Sequence, residues 1–325
     1  MLTSPLLISQ YVLEFQAGNG IKARTVPGLL LQNRGLSWSI GGDGTFSEHT
    51  TLPNILKIYD VAGALHGYSV KTGPRADRSI SHLNVGSQGS TASDLPGQAD
   101  MLITRMKHES GVDFVKDWKV ITIFIGSNDI CGYCDDKDKY SVNQFEGHMK
   151  QTLDILQANI PRAFVNVVHV LNVVMVRHFN RNPSCSILHW FLCKCAAFPS
   201  SKKALEEEIK VTEGYRRVLE ELVNSGRYDT NDDFTVVIQP FLSKAGIPNL
   251  PSGKTDYSYL APDCFHLSEK GHAAFAEGLW NNMNEPVGSK SLKWEPDDPI
   301  VCPSPKFPYF YTNKNSNEAT GQYQR

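Results

Sequence analysis

Asp263 and His266 stand three residues apart just ahead of a helical stretch. At that spacing a carboxylate can hold an imidazole in one tautomer while the other ring nitrogen works as a base. The alternative is a loop Asp and His that only cap the helix that follows. Far upstream, Ile121 to Cys131 form a short apolar strand that runs into Gly126-Ser127-Asn128-Asp129. At the carboxyl edge of a central strand, the side-chain amide of Asn128 can donate to a developing oxyanion. The backbone N–H of Gly89, in Asn84-Val85-Gly86-Ser87-Gln88-Gly89, can do the same. One such donor is worth roughly 3 kcal/mol of barrier. Against this, Asn128 and Asp129 would also suit a turn, and Gly89 would also suit an unusual backbone angle. Acid, base and two oxyanion donors together outline the hydrolysis of an ester.

Such groups need a scaffold, and the chain supplies the pattern of one. Val120 to Ile125, Ala163 to Val170 and Phe234 to Gln239 are short β-branched runs bounded by turn residues or helical stretches, and they predict strands. From Val142, the apolar residues Phe145, Met149, Leu153, Leu156 and Ile160 recur at three- and four-residue steps and predict a helix that stops at Pro161. Leu205, Ile209, Tyr215, Leu219 and Leu222 predict a second helix, and Ser268 to Met283 a third, with Ser268 as its start signal. Strands alternating with helices predict an α/β fold, a three-layer α/β/α domain with a mostly parallel, flavodoxin-like sheet. Residues 33 to 55 and 241 to 265 are rich in Gly, Ser, Thr, Pro and Asp and predict functional loops. From Lys293 to Arg325 five prolines and a polar end predict a connector.

The chain has 325 residues, 41% of them hydrophobic, with 32 basic and 34 acidic residues for a net charge of −2. That is enough for one large α/β domain, and it gives no electrostatic footprint for nucleic acid. The sequence as written carries no signal-peptide pattern and no apolar run long enough to span a membrane. Yet its seven cysteines, with the close pairs Cys131/Cys134 and Cys193/Cys195, suit an oxidised extracellular framework. A piece of a larger secreted or membrane-tethered protein reconciles the two. The same close pairs also allow a zinc tetrahedron.

Gly89, Asn128 and the Asp263-x-x-His266 pair, taken together, resemble the SGNH or GDSL-type lipase and esterase family, whose four blocks supply Ser, Gly, Asn and His. The resemblance is closer to the membrane-associated phospholipase B group of that family. It runs over roughly residues 17 to 312, on Arg34-Gly-Leu-Ser-Trp-Ser-Ile-Gly-Gly-Asp-Gly44, Cys131-Gly-Tyr-Cys134, Pro161-Arg-Ala-Phe-Val-Asn-Val-Val168, Trp280-Asn-Asn-Met283 and Cys302-Pro-Ser-Pro-Lys-Phe-Pro-Tyr309. It implies an SGNH-hydrolase domain over 17–292, followed by the connector 293–325. It also implies an acyl-serine mechanism without cofactor or metal, phospholipid, lysophospholipid or other lipid esters as substrates, and a place at the outer membrane face as part of a longer protein. In it His266 is the base, Asp263 its orienting partner, and Gly89 and Asn128 the oxyanion donors.

One block departs from the family. Its Gly-Asp-Ser-Leu lies just before an Ala-Gly-Asn-Gly segment, present here as Ala17-Gly18-Asn19-Gly20, and counting back puts Glu14 at the serine position. Glutamate is a poor nucleophile toward an ester and would give an anhydride. Loss of a triad serine costs on the order of a million-fold in kcat. The expectation is a chain with an atypical segment 1–16 and little or no turnover. Two origins stay open, an alternative start on an intact parent enzyme or a true pseudoenzyme repeat that binds lipid or acts as a spacer. His49, His66, His82, His108, His148, His169, His178 and His189 share no metal-ligand spacing, His272, six residues after His266, is expected on the adjoining helix, and Asp43 reads as a turn residue.

Overall fold

The computed structural model describes residues 8–14, 18–60, 63, 65–73, 78–179, 181–296, 298–303 and 307–316, with the backbone alone for 8–14. Four strands, β1 (Ile8–Glu14), β2 (Trp118–Phe124), β3 (Ala163–Val168) and β4 (Phe234–Gln239), form one sheet in the order β1-β2-β3-β4. All three pairings are parallel. Every residue of β3 is buried, as befits a parallel strand covered on both faces, where Val and Phe can fill both sides without alternation.

The helices are α1 (Leu52–Tyr59), α2 (Arg78–Ser81), α3 (Leu95–Met106), α4 (Ser127–Gly132), α5 (Val142–Asn159), α6 (Pro183–Ala197), α7 (Lys202–Asn224) and α8 (Glu269–Met283). Among the described residues, α3 packs on α5 and α5 on α7, while α1 packs on α8, and α7 and α8 both reach β4. The sheet is therefore sandwiched, and the three-layer expectation holds. Local chemistry starts the long helices. Ser141, Ser201 and Ser268 each accept a hydrogen bond from the third residue on, at 3.4, 3.1 and 3.3 Å, which satisfies one orphan donor of each first turn.

Trp38 sits in the core between layers, edge-on to Phe124 and Phe275 with both ring centroids 5.8 Å away. Its backbone N–H donates to Nδ1 of His272 at 3.2 Å. Three disulfides join described residues, Cys131–Cys193, Cys134–Cys195 and Cys185–Cys264. The zinc alternative is thereby overturned. Each cysteine of one close pair is bonded to a cysteine of the other, so none of the four thiolates a tetrahedral site needs is available. Asp43 is structural, its carboxylate accepting from the backbone N–H of Lys71 at 2.9 Å.

The described part of the tail lies against α8. Prolines cannot donate, but the carbonyls beside them accept. Trp280 Nε1 donates to Val301 O at 2.7 Å, Asn281 Nδ2 donates to Pro299 O at 3.1 Å, and Tyr311 N donates to Met283 O at 3.0 Å. Phe310 packs edge-on against Trp280 at 5.7 Å.

Candidate active site

Residue 14 and Asn128 lie at or just beyond the carboxyl ends of β1 and β2. The loop from Ala261 to Leu267 carries Asp263 and His266, the candidate acid and base. Asp263 is fully buried and His266 keeps 14% of its side chain exposed. The Asp263 Oδ2 to His266 Nδ1 distance is 2.5 Å. The other oxygen, Oδ1, accepts from the backbone N–H groups of Phe265 at 3.1 Å and His266 at 3.0 Å. Burial pushes this carboxyl up, but the hydrogen bond and charge of His266, with the two N–H groups, outweigh it and hold Asp263 below the usual carboxylate range. Cys264, between acid and base, takes φ +55°, a left-handed conformation costly for a residue with a Cβ. Its bond to Cys185 ties that turn to α6. His189, also on α6, faces the Cys264 carbonyl with Nε2 at 3.1 Å.

Asn128 comes from the other end of the site. Gly126 takes φ +109° at the cap of α4, so the chain turns sharply out of β2 and starts a helix within two residues. The turn considered for Asn128 and Asp129 is thus the first turn of a helix. Asn128 Nδ2 donates to Ser90 O at 2.9 Å, next to Gly89. Asp129, buried, accepts from Ala92 N–H with both oxygens at 3.1 Å. Burial nevertheless raises its carboxyl to about 6. These bonds clamp the Asn128 loop to the Gly89 loop. Gly89 itself is exposed and has φ +78°, and a Cβ there would point into open space.

Arg34 braces the same loop from inside. It is 2% exposed, and its guanidinium donates to Gly86 O at 2.8 Å and Asn84 O at 3.4 Å. Asn19 reaches across with Nδ2 to Gln88 Oε1 at 3.3 Å. Gly20, its neighbour, is close enough to the catalytic loop that a Cβ there would lie 3.8 Å from His266 Cβ. The loops carrying Gly89, Asn128 and the Asp263–His266 pair are therefore linked through named contacts. Asp129, Arg34, Asn19 and the Cys185–Cys264 bond were not legible as parts of the site, although Asp129 adjoins Asn128 and Arg34 opens one of the recognisable segments.

The backbone of Glu14 pairs with Phe124 at the carboxyl end of β1, level with the strand that leads to Asn128. Its side chain, and Ala17, lie outside the described residues. His272 lies on α8 and is buried. Burial, and then the nearby His266, lower it to about 3, so it is neutral and accepts the Trp38 N–H. Beside Ser127, an apolar pocket lined by Val173, Met175, Phe179, Phe265 and Leu267 adjoins the catalytic loop. No helix among the described residues is long and apolar enough to cross a membrane.

The family model for GDSL-like lipase/acylhydrolase matches residues 31–279. The chain belongs to this family. The GDSL-like chain is 41% identical over 315 residues to mouse membrane-associated phospholipase B1, covering 94% of this chain and 21% of that protein. The human and rat proteins of that name are 41% identical over 317 and 319 residues, with the same shares covered. The chain thus spans about a fifth of the length of these relatives.

Proposed function

We propose that this domain is a phospholipase B-type lipid ester hydrolase fold whose acid, base and oxyanion groups are in place and whose nucleophile is missing. His266 serves as the general base and Asp263 fixes its tautomer and stabilises the imidazolium. The Gly89 N–H and the second hydrogen of the Asn128 amide, the first being held by Ser90 O, serve the oxyanion. The observation that carries this is the buried Asp263 bonded to His266 at 2.5 Å beside an apolar pocket. In a parent form with serine at position 14, the hydroxyl adds to the ester carbonyl. His266 takes the hydroxyl proton and returns it to the departing lysophospholipid or glycerophosphodiester oxygen. Water then attacks the acyl-serine with the same histidine as base.

The close relatives' name and the three disulfides support an extracellular, membrane-associated setting in which this chain is one repeat of a longer protein. A second reading is favoured by Glu14 itself, whose carboxylate cannot sustain acyl transfer. On that reading the native chain is a non-catalytic lipid-binding or structural repeat.

The experiment compares the native chain with one carrying Gly-Asp-Ser-Leu in place of Val12 to Phe15, on phosphatidylcholine, lysophosphatidylcholine and a soluble short-chain ester. Fatty acid release by the restored chain alone, lost again on His266→Ala, is the expected result. Equal turnover by the native chain refutes the assignment of position 14. Failure of a folded restored chain on all three substrates refutes the site.

A further inference from the structure

An ordinary surface helix shows solvent a polar face, whereas the middle of the outer face of α6 is apolar, with Ser184 and Lys194 only at its ends. Its sequence, Pro183 to Ala197, holds one charged residue, Lys194, and that residue is ion-paired with Asp135 at 2.6 Å. Cys185, His189, Cys193 and Ala196 face inward, and the outward positions at three- and four-residue steps are Ser184, Ile187, Trp190, Phe191 and Lys194, with Ile187, Trp190 and Phe191 exposed by 59%, 56% and 73%. Trp190 and Phe191 pack edge to face at 4.9 Å. All three disulfides end on this helix, one from α4 at Cys131, one from Cys134 in the turn that follows α4, and one from Cys264 beside His266. The aromatic pair is therefore presented on a fixed platform and loses little freedom on contact.

We propose that the outward face of α6 docks this domain on a lipid bilayer of zwitterionic headgroups, with the catalytic loop at the contact. The inference rests on the lipid-ester reading of the site. Three observations favour a bilayer as the partner. The helix adjoins the Asp263–His266 loop through its inward side, since His189 and Cys185 hold Cys264 and the Phe265 ring lies 6.2 Å from that of His189, so the outward face lies one helix away from that loop. The helix also packs on the 3-10 turn Val173–His178, whose Val173 and Met175 line the apolar pocket. A second apolar edge borders the same loop. Leu30 is 73% and Leu31 46% exposed, and the adjoining Leu29 touches the Gly20 position that neighbours His266.

Size argues against a second copy. At about 150–250 Å² per aromatic, three partly exposed side chains offer a few hundred Å², short of the roughly 800 Å² per partner of a stable protein interface. Trp, Phe and Ile without free charge suit instead the boundary between headgroups and acyl chains, where an amphipathic indole is favoured.

The test uses the native chain, which need not turn over lipid, and large unilamellar vesicles of phosphatidylcholine, with and without anionic phosphatidylserine. The native chain is expected to cosediment with phosphatidylcholine vesicles, and brominated lipid is expected to quench its fluorescence. Trp190→Ala/Phe191→Ala should weaken partitioning by about ten-fold or more, and phosphatidylserine should add little. Phe191→Lys alone, at the most exposed position, should weaken it comparably and guards against a folding defect in the double variant. Unchanged partitioning by both folded variants overturns the proposal. So does a native chain that ignores vesicles but forms a concentration-dependent dimer lost in the variants. In the restored chain both variants should leave soluble-ester hydrolysis unchanged. Vesicle binding without ester hydrolysis therefore sinks the catalytic reading alone, and hydrolysis with unaltered vesicle binding sinks this one alone.

Discussion

Removing the Cys185–Cys264 bond tests how the catalytic loop is held. The bond closes a loop of 79 residues, and in the chain-entropy description a closure of that length stabilises the folded state by about 4.5 kcal/mol at 25 °C. Losses on removing such bonds run at about 2–5 kcal/mol. The expected result for Cys185→Ser/Cys264→Ser is therefore a lowering of unfolding free energy by about 4 kcal/mol, read by urea titration of the native chain. The bond also sits between acid and base. Without it, nothing covalent opposes relaxation of the left-handed Cys264, and the Asp263 to His266 geometry loosens. Displacement of a catalytic group by about 1 Å costs on the order of 100-fold. In the restored chain kcat on a soluble ester should fall by that order, at a temperature where the variant is still folded and with KM little changed. A stability loss below about 1 kcal/mol together with unaltered kcat would refute both the loop-closure estimate and the positioning role.

Asp263→Asn in the restored chain keeps the shape but lets His266 adopt the wrong tautomer. We expect kcat to fall by roughly 10³–10⁴-fold with the fold intact by circular dichroism, and a ten-fold effect or less would mean that the pair only caps α8. Glu208 gives a pH signature independent of activity. It is 1% exposed, Oε2 has no hydrogen-bond partner among the described residues, and burial raises its carboxyl from 4.5 to about 7. Between those values the folded chain binds more protons than the unfolded one, so this group lowers stability as pH rises from 4.5 to about 7 and not further above it. Glu208→Gln should match the native chain at pH 4 and exceed it at pH 8, by at most about 3 kcal/mol at 1.36 kcal/mol per pH unit. The same gap at both pH values would contradict the assignment.

The parts legible in the sequence are those whose signal is local. α5, α7 and α8 each carry an apolar stripe at helical spacing and a serine cap, and β2 to β4 are β-branched runs. Asp263 and His266 meet because they are three residues apart on one turn. α6 gave no stripe, since it is apolar on both faces. α1 and α3 start at Leu52 and Leu95 with prolines in the first turn, which in a Gly-, Ser- and Thr-rich context look like loops. Contacts between distant segments were out of reach. Asn128 and Ser90 are 38 residues apart, and only the sheet brings them together. Disulfide partners are likewise a matter of three-dimensional distance, so the sequence supported an oxidised framework, with zinc as the lesser alternative, without saying which cysteine bonds to which.

That distinction bears on how the proposed site could keep its geometry without a serine at position 14. Asp263 needs no nucleophile to be stable where it is, since its two oxygens accept from the His266 ring and two backbone N–H groups, and a buried carboxylate so satisfied is not a liability. Asn128 and Asp129 likewise have partners in the Gly89 loop, and Arg34 satisfies two carbonyls of that loop that would otherwise be buried without donors. Each of these residues holds the loops of the sheet edge together whether or not chemistry occurs between them. The nucleophile position differs in kind. Residue 14 ends β1, an edge strand of the sheet among the described residues, and none of the contacts just named involves it. A substitution at that one place can thus abolish turnover and leave the surrounding geometry intact, which is why restoring a single block is a sufficient test of the rest.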